Sequence, residues 1–396
     1  MKRAIVLSGG GAKGAYELGV WKALRKLGIS YDIVTGTSIG ALNAIMMVQN
    51  TYAKCLKLWY FMNYDYVSSM EIKGKYSSKS GRREIISKYT KGALTGGYEM
   101  DGLSKVIDYA VNPELFFNSK IEYGLVTTYF PSFKGKFVTK KDLTKDNLKD
   151  YLLATASCYP AFKPTKIDNN SFVDGGYTDN MPINLAIDLG ADEIIAVDLR
   201  AIGMTKKIKD KSIPITYIKP SIKLGSLLVF EKDYTRSYLK LGYNDTLKVY
   251  GKCEGNKYTF KLDSLRRNYD RNGYKFYDLY NSYSSISRKI PDSKKEENFN
   301  NILESLLEVY EIDPTKIYRT SLCNVLLRKE LLKNKLRTYG FIKKKIVGNK
   351  RTYISKELIK YIYNELGKSK SRNIKRLKIA FPKAFMCAVY LKVIER

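Results

Sequence analysis

The 396 residues, 44% of them apolar, suffice for one large α/β domain with an appendage. The complete absence of histidine excludes every mechanism that needs an imidazole, including the Ser-His-Asp triad and most catalytic zinc sites. The net charge of +31 is unevenly divided: Met1–Arg200 carries 26 Lys/Arg against 20 Asp/Glu, net +6, and the remainder 44 against 19, net +25, which suits a polyanion such as nucleic acid or an anionic membrane, or is plain solvated basic surface.

In chain order, "AIVLS" (Ala4–Ser8) predicts a buried strand. After the glycines that follow, Val20, Ala23, Leu24 and Leu27 recur at helical spacing while Lys22, Arg25 and Lys26 take the other face, and Gly28 closes the helix. A second strand, "YDIVTG", leads into "SIGALNAIMMVQ", a helix apolar on nearly every side and therefore buried. Residues 59–97, aromatic, basic and rich in Gly, Ser and Lys, form an insertion or lid. Strand-like Tyr123–Phe130, helical Leu148–Ser157 and strand-like Glu193–Leu199 resume the pattern, with a last core strand at Pro214–Ile218. This alternation predicts βαβ units and a parallel sheet. Beyond Pro291 the chain turns basic and helical, with "NILESLLEVY" and "CNVLLRKELLKNKL" as amphipathic segments. The expected domains are 4–199 (catalytic), 200–290 (an extension of it) and 291–396 (a basic, mostly helical C-terminal region). Five scattered cysteines without a CxxC pair suggest neither a disulfide framework nor a zinc site and fit a reducing cytoplasm. The apolar run Ala4–Leu7 is too short for a signal-peptide core, and no stretch approaches the ~20 apolar residues of a membrane span.

Gly9, Gly11 and Gly14 satisfy G-x-G-x-x-G between a strand and a helix, the context of a dinucleotide-binding turn. That reading requires an acidic ribose partner at the end of the second strand, whereas the one nearby acid, Asp32, stands at its start. A P-loop fails as well, because Gly14 is followed by Ala15. The end of the second strand holds G-x-S-x-G instead: Gly36, Ser38 and Gly40, directly ahead of a helix. Small residues on both sides of a serine allow the sharp turn of a nucleophile elbow, although a serine there is also an ordinary N-cap. Together the two motifs would deliver a serine and a row of free backbone N–H groups to one edge of a sheet, an arrangement suited to an oxyanion. Without histidine, the base must be a carboxylate or a lysine. "NNSFVDGGYTDNMPI" offers Asp174, followed by Gly175 and Gly176, a pattern that is also a common tight turn.

"SGGGAKG" (Ser8–Gly14), "GTSIG" (Gly36–Gly40), "ATASCYPAF" (Ala154–Phe162) and "DGGYTDNMP" (Asp174–Pro182) stand in the order and approximate spacing of patatin-like phospholipases, which this half of the chain resembles. The resemblance implies a three-layer α/β fold with a mainly parallel sheet and a Ser-Asp dyad that needs neither metal nor cofactor. By it Ser38 is the nucleophile, Asp174 the general base, and the amides of Gly9, Gly10 and Gly11 the oxyanion hole. Lys13 fills the basic position of the loop, Gly14, Gly36, Gly40, Gly175 and Gly176 complete the motifs, and Asn180 and Pro182 are structural. The expected activity is hydrolysis of a lipid ester, of phospholipase A or lysophospholipase type, in the cytoplasm and peripherally at an anionic inner membrane face, with no nucleic acid bound. The apolar and basic stretch Ile374–Ile394 is the expected membrane-docking segment, unless it packs into a core. A Rossmann-type nucleotide binder and a non-enzymatic basic membrane-binding protein are the alternatives.

Overall fold

The computed structural model describes residues 1–62, 79–94, 96–227, 230–283, 290–346, 348–368 and 373–395. Much of the segment expected as a lid, 63–78 and 95, lies outside the described residues. The chain divides into two compact units, Met1–Val249 and Tyr250–Arg396, so the expected boundaries at 199/200 and 290/291 fall inside them.

In the first unit, β1 (Arg3–Leu7), α1 (Ala15–Lys26), β2 (Ile33–Thr37) and α2 (Ile39–Val48) follow the expected strand-helix alternation. After them come α3 (Tyr52–Phe61), α4 (Lys79–Leu94), α5 (Asp101–Ala110) and α6 (Pro113–Asn118). Then β3 (Glu122–Phe130), β4 (Gly135–Thr139), α7 (Leu148–Ala156), β5 (Thr165–Ile167), β6 (Asn170–Asp174), α8 (Ile183–Asp188), β7 (Glu193–Val197), β8 (Ile215–Ile218) and α9 (Lys232–Val249) complete it. The sheet runs β5-β6-β3-β2-β1-β7-β8, with β4 paired to β3. Its centre, β3-β2-β1-β7-β8, is parallel, and β1 and β2 are buried almost throughout, as strands covered on both faces must be. α1 and α9 cross at two glycines: a Cβ on Gly19 would strike the Leu239 carbonyl, and one on Gly242 the Tyr16 carbonyl. Nothing in the local pattern of α9 announces this contact.

The pairing of β3 brings distant parts of the chain together. Parallel β2 occupies one edge as far as Thr37, opposite Val126. Antiparallel β6 runs toward it and ends with Asp174 opposite Thr127. Because β4 pairs with Gly124–Thr128 and overlaps both, it holds the other edge, and β2 and β6 share the first. Two strands therefore meet end to end along one edge of β3, one turning at Ser38 and the other finishing at Asp174.

In the second unit, β9 (Cys253–Glu254), β10 (Thr259–Lys261) and β11 (Ile317–Tyr318) make a small sheet. Helices α10 (Ser264–Ser282), α11 (Asp292–Val309), α12 (Thr320–Lys333), α13 (Tyr339–Lys343), α14 (Lys356–Leu366), α15 (Ile374–Ala380) and α16 (Pro382–Ile394) surround it. The helical character expected beyond Pro291 is present, and the α16 part of Ile374–Ile394 is packed inside the unit, whereas Ile379 on α15 is 76% exposed. Phe385, Ala388, Val389, Tyr390 and Leu391 of α16 are fully buried, so this helix is the core of the unit. A buried network in which Asn268 Nδ2 donates to Tyr390 Oη (2.9 Å), which donates to Asn324 Oδ1 (2.9 Å), satisfies its tyrosine. Pro382 sits at the first turn of α16, where its missing N–H is harmless.

Candidate active site

Ser38 stands where β2 stops and α2 begins, with φ 56° and ψ −127°. A non-glycine residue held there costs on the order of 1–3 kcal/mol, and it persists only where the surroundings over-determine it. They do so here. A Cβ on Gly36 would lie 2.5 Å from the Gly40 carbonyl oxygen, and one on Gly40 would lie 2.5 Å from that of Leu7, so the turn closes only with glycine at both positions. The Ser38 amide donates to Thr155 Oγ1 at 3.0 Å, and that hydroxyl donates in turn to the Val126 carbonyl. Thr155 thus occupies the point at which β2 leaves the sheet ladder.

Asp174 is 7% exposed. Its Oδ1 accepts from the Gly176 amide at 2.7 Å, and its own amide donates to the Ser157 carbonyl at 2.9 Å. Burial pushes its carboxyl up to about 6, against the pull of two donors, the Ser38 hydroxyl and the Gly176 amide. Gly175 lets this turn close on β3: a Cβ there would strike the Val126 carbonyl and lie 2.9 Å from Thr37 Cγ2. Asp179, whose carboxyl burial likewise raises to about 6, lies outside the cavity lining.

The glycine loop follows β1, the parallel neighbour of β2. The Gly9 amide donates to the Asn180 carbonyl at 3.0 Å, and Asn180 Nδ2 donates to the Gly9 carbonyl at 3.3 Å. The Gly9 N–H, expected among the oxyanion donors, is thereby committed to Asn180 in this structure. Gly10 and Gly11 give their amides to no acceptor among the described residues. Gly11 has φ +54°, and a Cβ on it would strike the Leu227 carbonyl, which accepts the Ala12 amide at 2.8 Å. Gly14 serves packing, since a Cβ there would lie 2.5 Å from Ile39 Cγ1. Lys13 turns away from the site and donates to the Arg200 carbonyl at 3.4 Å, its ammonium pKa lowered by burial and by Lys223.

Gly10, Gly11, Ser38 and Asp174 all line one cavity of about 580 Å³. Its remaining wall is mostly apolar, with Leu42, Met62, Leu103, Phe162, Met204 and Phe230 among the contributors beside Tyr177 and Asn180. Cys158 also lines it and is exposed; local desolvation and the nearby Asp174 raise its thiol pKa. The nucleotide reading finds no support: Asp32 accepts from the Arg3 amide at 2.9 Å at the start of β2, the end remote from the glycine loop.

Sequence reasoning paired Ser38 with Asp174 but missed Thr155, which lay inside a quoted motif as a small polar residue in the apolar second half of α7. It also missed the contribution of Met204, Leu227 and Phe230, whose segments carry no local signal.

A strained serine at a strand-to-helix turn thus stands beside a buried carboxyl on the wall of one largely apolar cavity. Residues 5–187 match the family model "Patatin-like phospholipase", and this part of the chain is a patatin-like phospholipase domain. The chain is similar to lysophospholipase NTE1 of Chaetomium globosum, 28% identical over 207 residues, and to that of Coccidioides immitis, 30% identical over 202. Each match covers 50% of this chain but only 12% and 11% of the relative, so the chain spans a small part of the length of those proteins. Among solved structures, VipD from Legionella pneumophila is 12% identical with a TM-score of 0.36, over 99% of this chain and 90% of that one. Among the described residues, no helix is long and apolar enough to cross a membrane.

Proposed function

We propose that this protein is a serine-dependent lipid acyl hydrolase in which Ser38 is the nucleophile, Asp174 the general base, and the amides of Gly10 and Gly11 the oxyanion donors. The observation that carries the reading is the meeting of β2 and β6 on one edge of β3, which puts Ser38 and Asp174 at one cavity. Ser38 Oγ attacks the ester carbonyl while its proton passes to Asp174, and the carbonyl oxygen gains negative charge next to the two uncommitted amides. Collapse expels the alcohol, which takes the proton from Asp174. Water, deprotonated by the same carboxylate, then releases the fatty acid from Ser38. A carboxyl raised to about 6 is a better base than an ordinary aspartate and is still largely ionised at neutral pH.

The cavity favours a single acyl chain. A largely apolar cavity of about 580 Å³ is of a size to take one long acyl chain. The similarity to lysophospholipases supports the same preference. A fluorophosphonate probe and a panel of lysophospholipid, diacyl phospholipid and acylglycerol test the proposal. Labelling at Ser38 alone, with lysophospholipid cleaved fastest and Ser38→Ala inert, is the expected result. Full activity in Ser38→Ala refutes it.

A further inference from the structure

The run Arg200–Lys207, "RAIGMTKK", contains two basic residues after its apolar pair and one before it, and no acid. Ile202 is 93% exposed and Met204 64% exposed, yet both line the cavity that holds Ser38, so they stand where it opens to solvent. Their exposure is not that of a loose loop. The Met204 amide donates to the Gly176 carbonyl at 2.9 Å, and the Met204 carbonyl accepts the Asn180 amide, which ties the run to the turn that carries Asp174. Arg200, Lys206, Lys207 and Lys223 are exposed around it. Of the nearby acids, Asp198 pairs with Lys219 at 3.5 Å, Asp210 accepts from the Ser212 amide at 2.9 Å, and Asp179 is buried beneath the run and accepts from the Lys206 amide at 3.4 Å.

We propose that Arg200–Lys207 is the surface by which the protein adsorbs to an anionic bilayer, with Ile202 and Met204 entering the headgroup boundary and the cations meeting lipid phosphates. Fixed apolar side chains among cations fit a bilayer, which offers negative charge above an apolar layer. Continuity with the cavity gives a single acyl chain a route from the membrane to Ser38 without crossing water. This inference rests on the lipid acyl hydrolase reading for its choice of partner, and it points to a surface other than α16, whose apolar residues pack into the core of the second unit.

The test is co-sedimentation of the full chain, carrying Ser38→Ala so that lipid survives, with vesicles of phosphatidylcholine alone and of phosphatidylcholine mixed with phosphatidylglycerol, at low and high salt. The expected result is binding to the mixed vesicles only, released by salt. Arg200→Gln and Lys207→Gln should each weaken it about fivefold, and Ile202→Ser about tenfold. Side chains this exposed can be exchanged without loss of the fold, and unchanged thermal melting verifies that. Variants that adsorb like the parent, equal binding to neutral vesicles, or no binding at all overturns the proposal. A wild type that adsorbs as expected but cleaves neither vesicle lipid nor a soluble p-nitrophenyl ester refutes the hydrolase reading instead.

Discussion

Replacing Asp174 by Asn should make the protein more stable at neutral pH while removing its activity. The ordinary value for this carboxyl is 3.8 and burial holds it at about 6. At about 1.36 kcal/mol per pH unit, that rise is worth about 3 kcal/mol. Below pH ~4 the native and unfolded chains both hold the proton, and Asp174 contributes no pH-dependent difference. As the pH climbs from about 4 to about 6 the unfolded chain releases its proton first, so the native state loses stability, and above about 6 the loss is complete. Asparagine never ionises and keeps an oxygen for the Gly176 amide. The stability of Asp174→Asn minus that of the wild type should therefore rise by about 3 kcal/mol between pH 4 and 7, whatever constant offset the new amide group adds. Urea unfolding followed by tryptophan fluorescence suits the measurement, because the only tryptophans, Trp21 and Trp59, are both buried in the first unit. In the wild type, kcat/KM for a soluble ester should increase with pH up to about 6 and then level off, since the base works only when deprotonated. A stability difference that stays flat from pH 4 to 7 would refute the claim that burial raises this carboxyl.

Gly10→Ala should lower kcat by about 10²-fold or more by displacing an oxyanion amide. Its stability cost should be small, because the new Cβ meets chiefly the end of the Leu199 side chain at 2.7 Å; Gly9→Ala, which meets Asn180, should lose stability as well, and thermal melts with kinetics separate the two. Ser38→Gly should raise the melting temperature where Ser38→Ala does not, because only glycine relieves the positive φ, by about 1 kcal/mol. Thr155→Val strands the Ser38 amide and should cost about 1–3 kcal/mol of stability, with a fall in kcat and little change in KM.

What the sequence determined by itself is local and tied to the backbone. The absence of histidine fixes the class of base, and Gly36, Gly40 and the loop glycines are legible because only a residue without a side chain fits those close approaches. The parallel centre of the sheet is legible for a similar reason, since strands buried on both faces read as apolar runs. Tertiary structure decided the rest. The pairing of Ser38 with Asp174 depends on two short strands finding one edge of β3 in a set register, and register is a property of the partner strand rather than of either segment alone. The commitment of the Gly9 amide to Asn180 was likewise invisible, because it joins residues far apart in the chain. Position in the chain says nothing about desolvation, so the raised carboxyl of Asp174 emerges only once β3 and its neighbours enclose it. For the same reason Ile374–Ile394 reads equally well as membrane anchor or core, and only the tertiary packing shows that the apolar residues of α16 are covered while Ile379 of α15 is not.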